Sequence, residues 1–211
     1  MTYLFWDMEM YRKDRKKFFS DSKIIAIGFS KVNKNINDYV EKHRDYPRIH
    51  IWTEWKMNGE KNLVIRFFDY LERLKNSGVL YLVGYGIMTY DIPFLIQRLH
   101  HYGVRTIEEL NEFFHDLMCI DLKLIGLLFN RMKFKGSTLS NTVDRIKYRD
   151  PILNKPHINE SGFEMHELYE KQMHQKIEDH LKNDIKAVIW LFRTMEKQLM
   201  PMLKTNLLSH S

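Results

Sequence analysis

The chain has 211 residues, with 33 Lys and Arg against 27 Asp and Glu, for a formal net charge of +6. Its 44% hydrophobic and 13% aromatic content excludes a disordered chain, and 9 Gly with 5 Pro exclude a collagen-like or linker-dominated one. The one cysteine, Cys119, excludes an intramolecular disulfide and a thiolate zinc cluster. No apolar stretch approaches the ~20 residues of a membrane span. The length fits a single domain over residues 1–211. The start, MTYLFWDMEM, carries acids where a signal peptide is apolar, so an intracellular protein, cytoplasmic or nucleoid-associated, is expected. The cationic excess raises the prospect of a polyanionic partner.

In chain order, residues 3–9 (YLFWDME) read as a strand with Tyr3, Phe5, Asp7 and Glu9 on one face and Leu4, Trp6 and Met8 on the other. Both faces begin apolar, which suits a central strand. A basic run, RKDRKK, follows. KIIAIGFSKV (23–32) is the second strand, and the Asn and Asp of NKNIND (33–38) predict a hairpin turn or loop. IHIWTEW (49–55) is the third strand, closed by a turn at Asn58-Gly59. Leu63, Phe67, Phe68, Leu71 and Leu74 then recur at helical spacing, ending at Asn76-Ser77-Gly78. VLYLVGYG (79–86) is a buried strand, and a helix runs from Asp91, with Pro93 in its first turn, to a stop at Gly103. A short helix is predicted near 106–114, and 118–129 passes from a short strand into an apolar helix. MKFKGS (132–137) reads as a basic loop, followed by a short helix through Ile146. Residues 148–162, with Pro151, Pro156 and Gly162, read as an irregular excursion. The last third is helical, with a break near 173–177. Three early strands, a helix, a fourth strand and then mostly helices favour an α/β fold with a mixed central sheet flanked by helices.

Four carboxylates stand in apolar neighbourhoods, where a lone charge is costly and needs a pair, a metal or a proton. Asp7 and Glu9, at i and i+2 on one strand, point to the same side. Asp91 sits where a buried strand gives way to a helix, a position that an N-cap would also occupy. Asp184 is the sharpest of the four. At 100° per residue it falls about 20° from Ile177, in the middle of the apolar stripe, whereas Asp179 falls about 160° away. His180 lies one turn earlier on the side of Asp184. Oxygen ligands from such acids suit hard divalent ions, here two Mg²⁺ or Mn²⁺ with Asp7 as the natural bridge. A pair of ions of this kind activates water and stabilises the leaving oxygen in phosphodiester cleavage. His180 is placed to accept a proton from the water or to orient it.

These residues carry a pattern that resembles the DEDD superfamily of 3′–5′ exonucleases, whose fold is ribonuclease-H-like. FWDMEM (5–10) is similar to its first motif, VGYGIMTYDIPFL (83–95) to its second and HLKNDIKAVIWLF (180–192) to its third. The nearest likeness is to the proofreading domain of family B DNA polymerases, and the Ile120-Asp121-Leu122 step and STLSNTVDRI resemble segments between its second and third motifs. The resemblance implies catalytic Asp7, Glu9, Asp91, His180 and Asp184, with the four acids as metal ligands. It also implies release of nucleoside 5′-monophosphates from single-stranded ends, DNA slightly ahead of RNA. Two positions depart from the pattern. Gly86 stands where the second motif usually has Asn. His180 stands four residues before Asp184, at the spacing of the tyrosine subgroup but with the chemistry of the histidine subgroup.

Strand contacts are expected from Arg12, Lys13, Arg15, Lys16 and Lys17, whose charges suit phosphates, and from Met8, Tyr90, Phe18 and Phe19 as stacking groups. Lys133, Lys135 and Lys147 form a second basic region. Two other readings stay open: a catalytically silent nucleic-acid-binding or scaffold subunit, with or without a protein partner in replication or repair, and a structure-specific endonuclease using the same carboxylates.

Overall fold

The computed structural model describes residues 1–12, 22–33, 35–147, 150–158 and 165–208, with side chains described up to residue 197. Strands β1 (Thr2–Arg12) and β2 (Ser22–Asn33) are followed by α1 (Ile36–His43), β3 (His50–Thr53), α2 (Glu60–Asn76) and β4 (Leu80–Gly84). Then come α3 (Asp91–His101), α4 (Ile107–His115), β5 (Met118–Asp121), α5 (Leu122–Gly126) and a 3₁₀ turn over Leu127–Asn130. The chain continues with α6 (Leu139–Arg145), α7 (Met165–Glu170) and α8 (His174–Leu208). Among the described residues no helix is long and apolar enough to cross a membrane.

The five strands form one sheet in the order β3-β2-β1-β4-β5. β1 is central, antiparallel to β2 and parallel to β4, so the sheet is mixed. The alternation read from the sequence sorts its side chains. Leu4, Trp6 and Met8 pack with α2, α3 and α4 on one face, while Phe5 packs with α8 and α6 on the other. All five apolar residues that define the α2 stripe are buried, against that first face. α4 begins with a capping box, Thr106 and Glu109 each accepting a backbone N–H from the other.

Residues 33–38 do not make a hairpin turn. The Asn35 side chain accepts the Asn37 N–H at 2.7 Å and so caps α1, whose Ile36 and Val40 are buried. The break in the last third falls at Lys171–Met173, between α7 and α8, where Gln172 takes a left-handed φ of 53°. The described part of the excursion, 150–158, is pinned rather than loose. Asp150 accepts the N–H groups of Ile152 and Leu153 and pairs with Arg193 of α8 at 3.0 Å, both side chains being fully buried.

Candidate active site

β1 outruns β4. Its parallel pairing ends at Phe5–Val83, whereas its antiparallel pairing with β2 continues to Arg12. Asp7 and Glu9 lie beyond that fork, on the face that carries α8. The Met8 N–H, which no longer has a β4 carbonyl to meet, is hydrogen-bonded to the carboxylates of Asp7 and Asp91. Asp91 is therefore not an N-cap: it is the first residue of α3, is 6% exposed, and turns its carboxylate back toward β1.

α8 brings the remaining groups. Asp184 is buried and Asp179 exposed, which matches the helical wheel. His180 Nε2 lies 3.2 Å from Asp184 Oδ2 and 3.5 Å from Glu9 Oε1, so these three side chains meet within the span of one ion's ligand shell. The helix comes this near because Gly28, directly across from Asp7 in β2, has no side chain. A Cβ there would lie 2.7 Å from Leu181 Cγ and 3.2 Å from Ile185 Cγ1. Next to this point β2 also bulges, with Glu9 opposite Ala26 but Met10 opposite Ile24.

The electrostatics follow from crowding four acids out of water. Burial pushes the Asp7 carboxyl well above its ordinary range, and the facing Asp91, Asp184 and Glu9 push it further. Burial raises Glu9 to about 8, with Asp184 and Asp91 adding to the rise and His180 opposing it. Burial also raises Asp91 to about 7, against the hydrogen bonds from its own N–H and from Met8, with Asp121 adding to the rise. Asp184 Oδ1 is buried without a hydrogen-bond partner. Other enclosed acids of the chain are neutralised differently. Glu60 accepts from Arg98, Tyr102 and the Ile24 N–H, Glu54 pairs with Lys23, and Asp150 pairs with Arg193. No described Lys or Arg forms an ion pair with Asp7, Glu9, Asp91 or Asp184. A set of hard oxygens with unspent negative charge and one orphaned lone pair fits divalent cations.

Asp121 organises the approach to Asp91. Its carboxylate accepts the N–H groups of Gly86 at 2.7 Å, Met88 at 3.1 Å and Lys123 at 2.9 Å, and it is 4% exposed. It thus holds the turn that leads from β4 into α3. In the sequence this residue is visible only as part of a resembling step, and no local pattern foretells its two long-range bonds, to Gly86 and Met88. Gly86 has φ 78°, a left-handed conformation that glycine adopts at little cost, and a Cβ there would touch Lys123 and Tyr90 at 3.4 Å.

The expected strand-binding side chains divide. Tyr90 is 38% exposed at the start of α3, with the Lys123 ammonium 4.8 Å from its ring. Arg12 ends β1 in a half-buried position that lowers its pKa. Met8 corrects the expectation: at 5% exposure it is core, on the face opposite Asp7 and Glu9, so its backbone rather than its side chain borders the site. Lys13, Arg15, Lys16, Lys17, Phe18 and Phe19 lie outside the described residues.

No protein-family model and no curated protein sequence matches this chain. Among solved structures it is similar to a family B DNA polymerase from the hyperthermophilic archaeon Pyrobaculum calidifontis, with a TM-score of 0.61 and 12% identity, over 96% of this chain and 25% of that one. It is also similar to the zinc-bound form of the E. coli ExoI–ssDNA complex, with a TM-score of 0.53 and 10% identity, over 99% of this chain and 43% of that one. The chain spans less than half the length of either protein. At such identity the likeness is one of architecture, and it agrees with the strand order, the mixed pairing and the helices on both faces. The chain has a ribonuclease-H-like fold, a mixed central sheet flanked by helices.

Proposed function

We propose that this chain is a metal-dependent 3′–5′ exonuclease that hydrolyses phosphodiester bonds at single-stranded ends and releases nucleoside 5′-monophosphates. The observation that carries the reading is the convergence of Asp7, Glu9, Asp91 and Asp184, from β1, α3 and α8, with no described Lys or Arg paired to any of them. The four acids would hold two Mg²⁺ or Mn²⁺ ions, and the Asp7 carboxylate faces the other three. When bound, such ions supply a nucleophile from water at neutral pH and stabilise charge on the leaving oxygen. The protein's own part is to keep the carboxylates converged and to hold a proton acceptor beside them. His180 Nε2, between Glu9 and Asp184, takes the proton of the attacking water or orients that water. Single strands are favoured because Tyr90 offers an exposed ring with a cation beside it at the edge of the site. DNA stands slightly ahead of RNA because the motifs lean toward the proofreading domains of DNA polymerases.

The test is one gel assay with end-labelled linear and circular single strands of DNA and of RNA, in Mg²⁺, Mn²⁺ or chelator. Mononucleotides should appear from linear substrate with metal only, and Asp7→Ala should lose nearly all turnover. Cutting of the circle would make the chain an endonuclease instead. Strand binding without nucleotide release in either metal would make it a silent binder.

A further inference from the structure

Among the described residues, exposed large apolar side chains are concentrated. Six of the ten are Met88, Tyr90, Leu124, Leu128, Met132 and Phe134. They follow the chain from the turn before Asp91 to the tip beyond the 3₁₀ turn. The two stretches touch, since Lys123 of α5 lies over the Tyr90 ring. Leu124 and Leu128 stand one turn apart on the run that continues from Lys123, and Met132 and Phe134 crown its far end at 64% exposure each.

That far end is built rather than slack. Arg131 and Met132 both take left-handed φ angles, 52° and 59°. The Asn130 side-chain amide donates to the carbonyls of Lys133 and Lys135, and the Ser137 hydroxyl donates to that of Phe134 at 2.6 Å. These bonds fix the backbone of the sequence Arg-Met-Lys-Phe-Lys while its five side chains remain exposed. Cations and apolar groups alternate along it. From Leu122 to Val143 the chain carries no acidic residue and four cations, Lys123, Arg131, Lys133 and Lys135. With all five side chains exposed, this alternation calls for a partner that offers both negative charge and apolar faces. A polyanion that also presents flat apolar faces matches both halves of it: the phosphates meet the cations and the bases stack on the ring.

We infer that the 131–135 tip is a second strand-binding subsite, in which Phe134 stacks on a base of a single-stranded nucleic acid while Lys133 and Lys135 hold its phosphates. The inference rests on the nuclease reading for its orientation, with the strand running from Tyr90 along α5 to the tip. α5 and the 3₁₀ turn together span roughly 15 Å, from five residues at ~1.5 Å and four at ~2 Å. At ~3.4 Å per stacked nucleotide this places Phe134 roughly four nucleotides from Tyr90.

The experiment is fluorescence anisotropy of labelled oligothymidylates three and twelve nucleotides long, in chelator so that nothing is cut, with wild type, Phe134→Ala and Lys133→Glu/Lys135→Glu. The substituted side chains are exposed, and matching thermal melts exclude misfolding. Wild type should bind the 12-mer more tightly than the 3-mer. Phe134→Ala should weaken the 12-mer roughly fivefold or more and leave the 3-mer unchanged. The double lysine variant should also flatten the salt dependence of 12-mer binding, by about 0.7 in log–log slope for each phosphate that is no longer neutralised. Equal affinities of all three proteins for the 12-mer would overturn the inference and leave the tip to a protein partner. The nuclease reading fails separately, as absence of nucleotide release by wild type.

Discussion

Asp91→Asn should make the metal-free protein more stable at pH 8, although it alters a buried residue of the candidate site. Burial raises this carboxyl from its ordinary 3.8 to about 7. Well below its ordinary value of 3.8 the group is protonated in both the folded and the unfolded chain and costs nothing. As the pH rises the unfolded chain releases its proton first, so stability declines until the folded group ionises near pH 7. The full difference is worth roughly 4 kcal/mol. Neighbouring carboxyls that share the remaining protons relieve part of it, and with half of it relieved about 2 kcal/mol is left. The amide is neutral at every pH, has nearly the same shape, and keeps an oxygen for the Met8 N–H. It should therefore raise the melting temperature by about 4–8 °C at pH 8 in chelator and by little at pH 4. With Mn²⁺ at a hundredfold over its dissociation constant, wild type should regain about 2.7 kcal/mol and the variant much less. Scanning calorimetry at both pH values, with and without Mn²⁺, reads all of this. A variant that melts below wild type at pH 8 in chelator would refute the reasoning, because Asp91 would then be a structural anchor like Glu60 rather than a charge awaiting a cation.

Three further outcomes follow from the geometry. Gly28→Ala forces a methyl against Leu181, so it should cost about 1–3 kcal/mol and lower Mn²⁺ affinity by moving His180 and Asp184 away from Glu9; unchanged affinity by titration calorimetry would contradict the role given to this close approach. Asp121→Ala strips the partner from three backbone N–H groups, and hydrogen exchange at Gly86 and Met88 should speed up markedly while α2 stays protected. His180→Ala should lower the hydrolysis rate by about 10²–10⁴-fold with metal affinity largely kept, and a lost affinity would make the imidazole a ligand instead.

The sequence made local periodicity easy to read and long-range contacts hard. The α2 stripe needed only a 3.6-residue repeat, and the same repeat separated Asp184 from Asp179 on α8. The candidate acids were legible because charge in an apolar run is anomalous wherever the run ends up. Two other features were not. Gly28 looks like any strand glycine until the register sets it opposite Asp7 and beneath Leu181. Asp121 looks like a helix cap, which it also is for Lys123, and its grip on Gly86 depends on β4 and β5 being parallel neighbours. α1 escaped for a local reason: Asn-rich segments signal turns and helix starts alike, and only the buried Ile36 and Val40 decide between them.

The fork between β1 and β4 bears on how such a molecule can change over time. The gap after Phe5 arises from unequal strand lengths, not from the identity of any side chain. Nearly every residue around it can be exchanged while main-chain pairing goes on making the same hollow. Backbone pairing of this kind leaves the shape of the hollow insensitive to most of the side chains around it. What drift cannot rebuild so cheaply is the handful of charges that the hollow collects.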